Sequence, residues 1–218
     1  MKNPASWEVY LVTDRAFSQG RSTLDIVEAA AHGGISVVQL REKDLEARDF
    51  FDEGLKIRAV LRLAGVPLII NDRVDVALAL EADGVHLGQA DLPLREARKI
   101  LGPDRIIGYS VEEPGHINET TARYADYFAI SPVFLTSTKK DISAPWGLEG
   151  LRKARSMTDK PLVAIGGVTQ SNARMVIKAG ADCVAVVTAI VSAEDPEAAT
   201  RSLLIEVRAG KAARALQG

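Results

Sequence analysis

The chain has 218 residues, 47% of them apolar, which is enough to bury a large core within one domain. The net charge of -2 and the pI near 6.0 exclude the strong basic field that is typical of proteins binding nucleic acid or anionic membranes. Cys183 is the only cysteine, no apolar run reaches the length of a membrane span, and the N-terminal residues contain no signal-peptide core. We therefore expect a soluble cytoplasmic protein without disulfides.

Short apolar runs alternate with helical patterns along the whole chain. The predicted strands are Val9–Thr13, Val37–Leu40, Pro67–Ile70, Gly84–Leu87, Arg105–Gly108, Tyr127–Ile130, Pro161–Ile165 and Cys183–Val187. The last predicted helix begins near Pro196 and ends near Val207, and we expect residues 209–218 to fray. Strict alternation of this kind favours parallel strands joined by crossover helices.

A small repeat decides between the two architectures that alternate in this way. Ala82-Asp83, Ala125-Asp126 and Ala181-Asp182 each stand directly before a predicted strand, the fourth, sixth and eighth in order. A motif that recurs in every second βα unit fits a closed barrel, in which alternate strands supply alternate core layers. No Gly-x-Gly-x-x-Gly follows the first strand, which argues against a doubly wound sheet. We predict one (β/α)₈ (TIM) barrel, about residues 8–208, with its site at the carboxyl ends of the strands.

Two carboxylates follow consecutive predicted strands. Asn71 and Asp72 end the third strand, and Asp91 lies in the loop beyond the fourth. If these strands are parallel neighbours, both carboxylates face the same end of the sheet and can share a cation. The alternative is that each aspartate merely starts a helix. The three residues together favour a Mg²⁺ site.

Cations and glycines at the other strand ends indicate anion binding. Gln39, Arg41 and Lys43 alternate after the second strand, and Lys139 lies in the long connection after the sixth. Gly166-Gly167 and Thr188-Ala189 follow the last two strands, where many barrels hold a phosphate. Two anion sites predict two phosphorylated substrates. Alternatively, the cations pair with rim carboxylates or belong to an exposed loop.

Seven segments resemble the motifs of the thiamin phosphate synthase family. They are residues 10–14, 38–43, 71–72, 82–91, 136–141, 147–151 and 164–168, in order over nearly the whole chain. The resemblance implies that a pyrimidinylmethyl diphosphate and a thiazole phosphate are joined with release of pyrophosphate, using Mg²⁺ and neither nucleic acid nor membrane. A homodimer is compatible with the sequence, which identifies no interface.

The resemblance also implies a role for each matching residue. The diphosphate would be held by Arg41, Lys43 and Lys139 with Asn71, and Mg²⁺ by Asp72 and Asp91. Gln39 would contact the pyrimidine ring, and Ser110 would lie near the reacting carbon. The thiazole phosphate would bind to Thr136, Thr138, Gly167, Thr188 and Ala189. Because the thiazole nitrogen attacks through its lone pair, we hypothesise a dissociative reaction without a covalent nucleophile.

The chain departs from the family pattern at three positions. Ser131 stands where the family usually has glycine, Thr188 replaces a usual serine, and Glu112 occupies a usual histidine position after strand 5. Three alternative functions remain: a thiazole tautomerase of the same superfamily, a Schiff-base aldolase using Lys43 or Lys139, and a regulatory barrel that only binds precursors. His86, inside strand 4, is interpreted as a hydrogen-bonded barrel residue rather than a base.

Overall fold

The computed structural model describes residues 3–136 and 144–216, and it confirms the predicted barrel. The eight parallel strands close in sequence order, β1 pairing with both β2 and β8. The strands are β1 Val9–Val12, β2 Val37–Leu40, β3 Leu68–Asn71, β4 Gly84–Leu87, β5 Ile106–Val111, β6 Tyr127–Ile130, β7 Leu162–Ile165 and β8 Cys183–Val186. The α-helices in the described ranges are α1 Thr23–His32, α2 Ala47–Ala64, α3 Val74–Ala79, α4 Leu94–Leu101, α5 Glu119–Tyr124, α6 Gly147–Ser156, α7 Gln170–Lys178, α8 Thr188–Val191 and α9 Pro196–Ala215.

The spacing of apolar residues explains how the outer helices attach to the barrel. In α2 the buried residues Phe50, Gly54, Ile57 and Leu61 are three or four positions apart and therefore share one face. Gly65 ends this helix with a left-handed φ of 70°, a conformation that costs glycine little. The charged residues of α2 lie outside this face, although the apolar Leu55 and Leu63 are also exposed.

Alternation along each strand divides the buried residues into two sets. Val9 and Leu11 face outwards and pack beneath the helices, whereas Tyr10 and Val12 face the barrel interior. The interior set also contains Trp7 and Tyr127, so aromatic rings fill much of the barrel below the strand ends. This filling makes the interior of the barrel a packed core rather than a pore.

The aspartates of the predicted repeat join neighbouring strands at the amino end of the barrel. Asp83, before β4, accepts a hydrogen bond from Leu68 N on β3 at 2.8 Å. The equivalent bonds run from Ile107 N to Asp126 at 2.7 Å and from Leu162 N to Asp182 at 2.9 Å. Before β2 the same position is taken by a serine: Ser36 Oγ accepts from Glu8 N at 3.0 Å. The three aspartates and this serine therefore supply one acceptor to every second pair of strands: β1–β2, β3–β4, β5–β6 and β7–β8.

The C-terminal residues differ from the sequence prediction. The helix predicted to end near Val207 continues as α9 to Ala215, so residues 209–215 are helical rather than frayed. Arg214 explains the extension, because its guanidinium donates to Ala181 O at 2.8 Å and to Asp182 Oδ1 at 3.0 Å. No helix within the described ranges combines the length and apolar character needed to cross a bilayer.

Candidate functional site

A pocket of about 460 Å³ opens at the carboxyl ends of the strands, as the barrel prediction requires. It has the size of a typical small-molecule site. Most of the described residues predicted for the site line this one pocket: Gln39, Arg41, Lys43, Asn71, Asp72, Asp91, Ser110, Thr136 and Gly167. The fold thus gathers residues from six strand ends.

The remaining predicted residues fall into two groups. Thr188 and Ala189 begin the short helix α8 and are not among the residues lining the pocket, although the preceding Val187 is. Thr138 and Lys139 lie outside the described residues. The predicted roles of all four stay predictions.

Asp72 and Asp91 come together across the ends of β3 and β4. Asp72 has a left-handed backbone with a φ of 61°, unusual outside glycine, and its N–H donates to His86 O at 2.9 Å. Burial, followed by the nearby Asp91 carboxylate, raises the pKa of Asp72 from 3.8 to about 6, against the opposing influence of Lys43. Asp91 itself accepts a hydrogen bond from Gly88 N at 2.7 Å. Two carboxylates held this close are costly unless a cation or a proton separates them.

This pair fits a Mg²⁺ ion that takes its other oxygens from substrate and water. Within the described ranges no group of three or more His, Cys, Asp or Glu side chains could enclose a metal by itself. Mg²⁺ typically uses one or two carboxylates together with phosphate oxygens, rather than an all-protein cage. Asn71, beside Asp72 at the end of β3, lines the same wall of the pocket, and its side-chain hydrogen bond to Asp72 opposes the rise in the pKa of that carboxyl.

Arg41 is oriented towards the pocket by a neighbouring strand. Its Nη1 donates to Asp14 Oδ2 at 2.6 Å, and its backbone N–H donates to Thr13 Oγ1 at 2.9 Å. Asp14 therefore braces Arg41, while the neighbouring Arg15 pairs with Glu53. The rim pairing considered from sequence is thus present for Arg41, with Asp14 as its partner. A guanidinium held on one side keeps its other N–H groups for an anion.

The two glycines after β7 allow close packing of the neighbouring loops. Gly166 and Gly167 have φ values of 98° and 65°, in the left-handed region that glycine tolerates best. A Cβ on Gly166 would lie 2.8 Å from Pro132 Cα, and one on Gly167 would lie 2.7 Å from Leu135 O. Any side chain at either position would therefore push the β7 and β6 loops apart and deform this wall of the pocket.

The floor of the pocket is a row of hydrogen-bonded polar side chains. Gln39 Nε2 donates to Tyr10 OH at 2.8 Å, and Tyr10 OH lies 3.0 Å from Tyr127 OH. His86 contacts Tyr127 OH through Nδ1 and Ser110 Oγ through Nε2, both at 2.9 Å. The interpretation of His86 as a hydrogen-bonded barrel residue is confirmed, although it also lines the pocket.

Sequence reasoning missed two residues of this pocket. Tyr10 was assigned to a strand and to the first family-like segment but was given no role in the site, although it precedes Val12 by two positions and so shares its inward face. Gln89 lies two residues before Asp91, and its Nε2 donates to Ser110 O and approaches His116 Nδ1 at 3.2 Å. Gln89 is a polar residue in the loop between the end of β4 and Asp91, the predicted metal ligand. That position could have identified it from the sequence.

Known proteins resemble this chain in both sequence and structure. The family model described as thiamine monophosphate synthase matches residues 9–190. A thiamine-phosphate synthase of Albidiferax ferrireducens is 51% identical over 86% of each chain, and one of Chloroflexus aurantiacus is 48% identical over 94% of this chain and 96% of its own. The chain belongs to the thiamine monophosphate synthase family. These relatives make it an enzyme of the transferase class.

A solved structure extends the likeness to the fold. The thiamine phosphate pyrophosphorylase of Pyrococcus furiosus superposes with a TM-score of 0.87 at 37% identity, covering 95% of this chain and 98% of the other. The family resemblance inferred from the motifs is thereby confirmed. It does not test the roles of individual residues.

The departures from the family pattern can now be located. Ser131 and Glu112 both line the pocket, while Thr188 begins α8 beside it. His116 lies four residues after Glu112 and folds back, so that its Nδ1 accepts a hydrogen bond from Glu112 N at 3.2 Å. A histidine therefore does follow β5 in this family member, outside the pocket lining.

Proposed function

We propose that this enzyme transfers the 4-amino-2-methylpyrimidin-5-ylmethyl group from its diphosphate to 4-methyl-5-(2-phosphoethyl)thiazole, forming thiamin phosphate and pyrophosphate. The observation that carries the proposal is the meeting of Asp72 and Asp91 with Arg41 and Lys43 in one pocket. A carboxylate pair beside two cations suits a metal-bound diphosphate far better than an uncharged ligand.

The diphosphate belongs on the wall formed by β2, β3 and β4. Arg41, steadied by Asp14, is suited to fork onto phosphate oxygens, and Lys43 adds a point charge. Asp72 and Asp91 would hold Mg²⁺, whose charge neutralises the departing pyrophosphate. Lys139, which lies outside the described residues, is proposed as a third cation for this anion.

The reaction needs little from the protein beyond charge and position. The amino group of the pyrimidine can push electrons into the ring and stabilise the cation that remains when pyrophosphate leaves. Fixed positive charge at the leaving group is then the main catalytic contribution. The thiazole nitrogen attacks with its own lone pair, so no side chain has to remove a proton or form a covalent bond.

The thiazole phosphate belongs on the opposite wall. Thr136 and Gly167 both line the pocket there, and the backbone around Val187 continues this side. The N–H groups of a glycine pair and the hydroxyl of a threonine are suitable donors to a phosphate. We propose that Thr138, Thr188 and Ala189 complete this anion site.

An assay with both phosphorylated precursors, with and without Mg²⁺, tests the proposal. Wild type is compared with Asp91→Asn, which removes the charge but keeps an oxygen to accept the Gly88 N–H. Asp75→Asn is the control, because Asp75 lies nearby on α3 but outside the pocket lining. We expect magnesium-dependent thiamin phosphate from wild type and control, and a loss of at least about 100-fold in Asp91→Asn.

Other outcomes would redirect the assignment. Precursor binding without any product would favour the regulatory barrel. Product formation that ignores both Mg²⁺ and Asp91 would keep the transfer reaction and refute the metal site. Cytoplasmic location, homodimerisation and the absence of nucleic-acid or membrane partners stay predictions.

A further inference from the structure

The polar row beneath the pocket crosses the barrel from β2 to β5. It begins at Gln39, passes through Tyr10 and Tyr127, and reaches Ser110 through His86 in four hydrogen bonds of 2.8–3.0 Å. Tyr10 and Tyr127 are 1% and 0% exposed. Barrels usually fill this layer with branched aliphatic side chains, so a continuous polar row here requires an explanation.

The donors and acceptors of the row can be assigned in only one order, from Gln39 towards Ser110. The Gln39 Nε2 group can only donate, so Tyr10 OH accepts from it and must donate its own hydrogen elsewhere. The hydroxyl of Tyr127 is the acceptor within reach, and Tyr127 in turn donates to His86 Nδ1. The reverse order would leave the hydroxyl hydrogen of buried Tyr10 without a partner, at a cost that buried polar groups rarely bear.

The same order of donors and acceptors continues through His86 to Ser110. A neutral His86 that accepts at Nδ1 carries its proton on Nε2, which donates to Ser110 Oγ. The hydroxyl hydrogen of Ser110 is then free to donate into the pocket. At the opposite end, Gln39 Nε2 donates one of its two hydrogens to Tyr10, which directs the amide nitrogen into the floor and leaves the carbonyl oxygen as the acceptor for a ligand.

We propose that Tyr10, Tyr127 and His86 are positioning residues that set the hydrogen-bond polarity of the pocket floor: an acceptor at Gln39 and a donor at Ser110. This inference rests on the proposed function, because such a floor matches an aminopyrimidine. The exocyclic amine donates, and the ring nitrogens accept. An oxo group in place of the amine would face the Gln39 carbonyl oxygen and be repelled.

The surrounding backbone is shaped to accommodate the row. Gly108 on β5 lies directly beside it, and a Cβ there would overlap the Tyr127 hydroxyl and come within 2.5 Å of His86 Nδ1. Trp7 closes the row from below, with its ring centroid 5.2 Å from that of Tyr127 and 5.5 Å from that of Tyr10. The space left by Gly108 and the packing of Trp7 together fix the positions of the two tyrosine rings.

Tyr127→Phe is the decisive variant, because it removes one hydroxyl from the centre of the row. Tyr10 then loses its acceptor and can donate to Gln39 only if the amide flips, which would turn the amide nitrogen towards the pocket. At the far end, His86 Nδ1 loses its donor, which allows the proton to move to Nδ1 and Ser110 to donate to Nε2. Gln39 would then present a donor to the pocket instead of an acceptor, and Ser110 would present an acceptor instead of a donor.

The measurement compares two pyrimidine diphosphates, one with the natural amino group and one with oxygen in its place. The amino compound is assayed as substrate and the oxo compound as a competitive inhibitor, both in Mg²⁺. For Tyr127→Phe we expect the KM of the amino compound to rise about 10-fold or more, and its advantage over the oxo compound to shrink about 10-fold. The KM of the thiazole phosphate should change less than about twofold.

Two further variants make the result decisive. Ile69→Val removes a methyl group from the same interior layer without touching a hydrogen bond, and it should leave the preference for the amino compound unchanged. Tyr10→Phe replaces Tyr127→Phe if the latter fails to fold, and the same loss of preference is expected. An unchanged preference in a folded, active Tyr→Phe variant overturns the proposal. Absence of thiamin phosphate from wild type would instead refute the proposed function.

Discussion

Replacing Asp72 by asparagine should make the protein more stable while lowering its activity. The substitution keeps the shape of the side chain and removes its charge. Asparagine tolerates the left-handed φ of 61° at this position, so the backbone need not change. The effect on stability should therefore come from the charge alone.

The size of the effect follows from the pKa of Asp72, which burial and then Asp91 raise from 3.8 to about 6. At 1.36 kcal/mol per pKa unit, that rise corresponds to a loss of roughly 3 kcal/mol in the free energy of unfolding when Asp72 is charged. The side chain is only half-buried, so solvent screening reduces the expected gain to about 1 kcal/mol in the free energy of unfolding.

The sign of the effect depends on pH. An acid whose pKa is raised by folding costs stability only where it is charged in the folded protein. The cost is absent below pH 3.8, grows as the pH rises towards 6, and is complete above it. Asp72→Asn should therefore match wild type at pH 3.5 and exceed it at pH 8.

Urea unfolding at pH 8 in EDTA, and again in Mg²⁺, measures this directly. Mg²⁺ should stabilise wild type by neutralising the carboxylate pair and should stabilise Asp72→Asn much less. Asp75→Asn is a matched control, because the Arg73 guanidinium lowers the pKa of Asp75 and its removal should bring no gain. An Asp72→Asn variant less stable than wild type at pH 8 in EDTA would refute the reasoning.

Three further substitutions probe the fold and the proposed site. Asp182→Ala should lower the free energy of unfolding, measured by urea titration, by about 2 kcal/mol. The variant removes the acceptor for Leu162 N and the ion pairs with Arg155 and Arg214. Because Asp182 lies at the amino end of the barrel, the KM values should stay unchanged. Gly108→Ala should lower the free energy of unfolding by about 2 kcal/mol or more, because the new Cβ would overlap Tyr127. It should also weaken pyrimidine binding. An unchanged stability would contradict the close packing at Gly108. Lys139→Ala should reduce turnover far more than the thermal midpoint, and equal losses in both would remove its assigned role.

The arrangement of elements was predictable because each depends on local pattern. Apolar runs of strand length, helical spacing between them and the Asp repeat were enough to predict a closed barrel. Three strands have the predicted bounds, and in the other five the bounds moved by only one to three residues. The position of a residue after a strand then predicted which side chains share the carboxyl end. Asp72 and Asp91 meet there for that reason.

Tertiary contacts decided what the local pattern left open. Arg214 reaches Asp182 because α9 packs against α7, so the tail that was predicted to fray is helical. Asp14 braces Arg41 from a neighbouring strand, a pairing that no sequence spacing indicates. Thr188 and Ala189 follow β8 as expected, yet the turn into α8 leaves them outside the pocket lining.

The amino-acid sequence by itself determined the barrel, the family and most of the charged residues of the pocket, because hydrophobic period and strand order are encoded locally. Only the tertiary structure decided the raised pKa of Asp72 and the polar row from Gln39 to Ser110. Both depend on burial and on contacts across strands that are far apart in the chain. Tyr10 and Tyr127 are separated by 117 positions, and only closure of the barrel brings their hydroxyls to 3.0 Å.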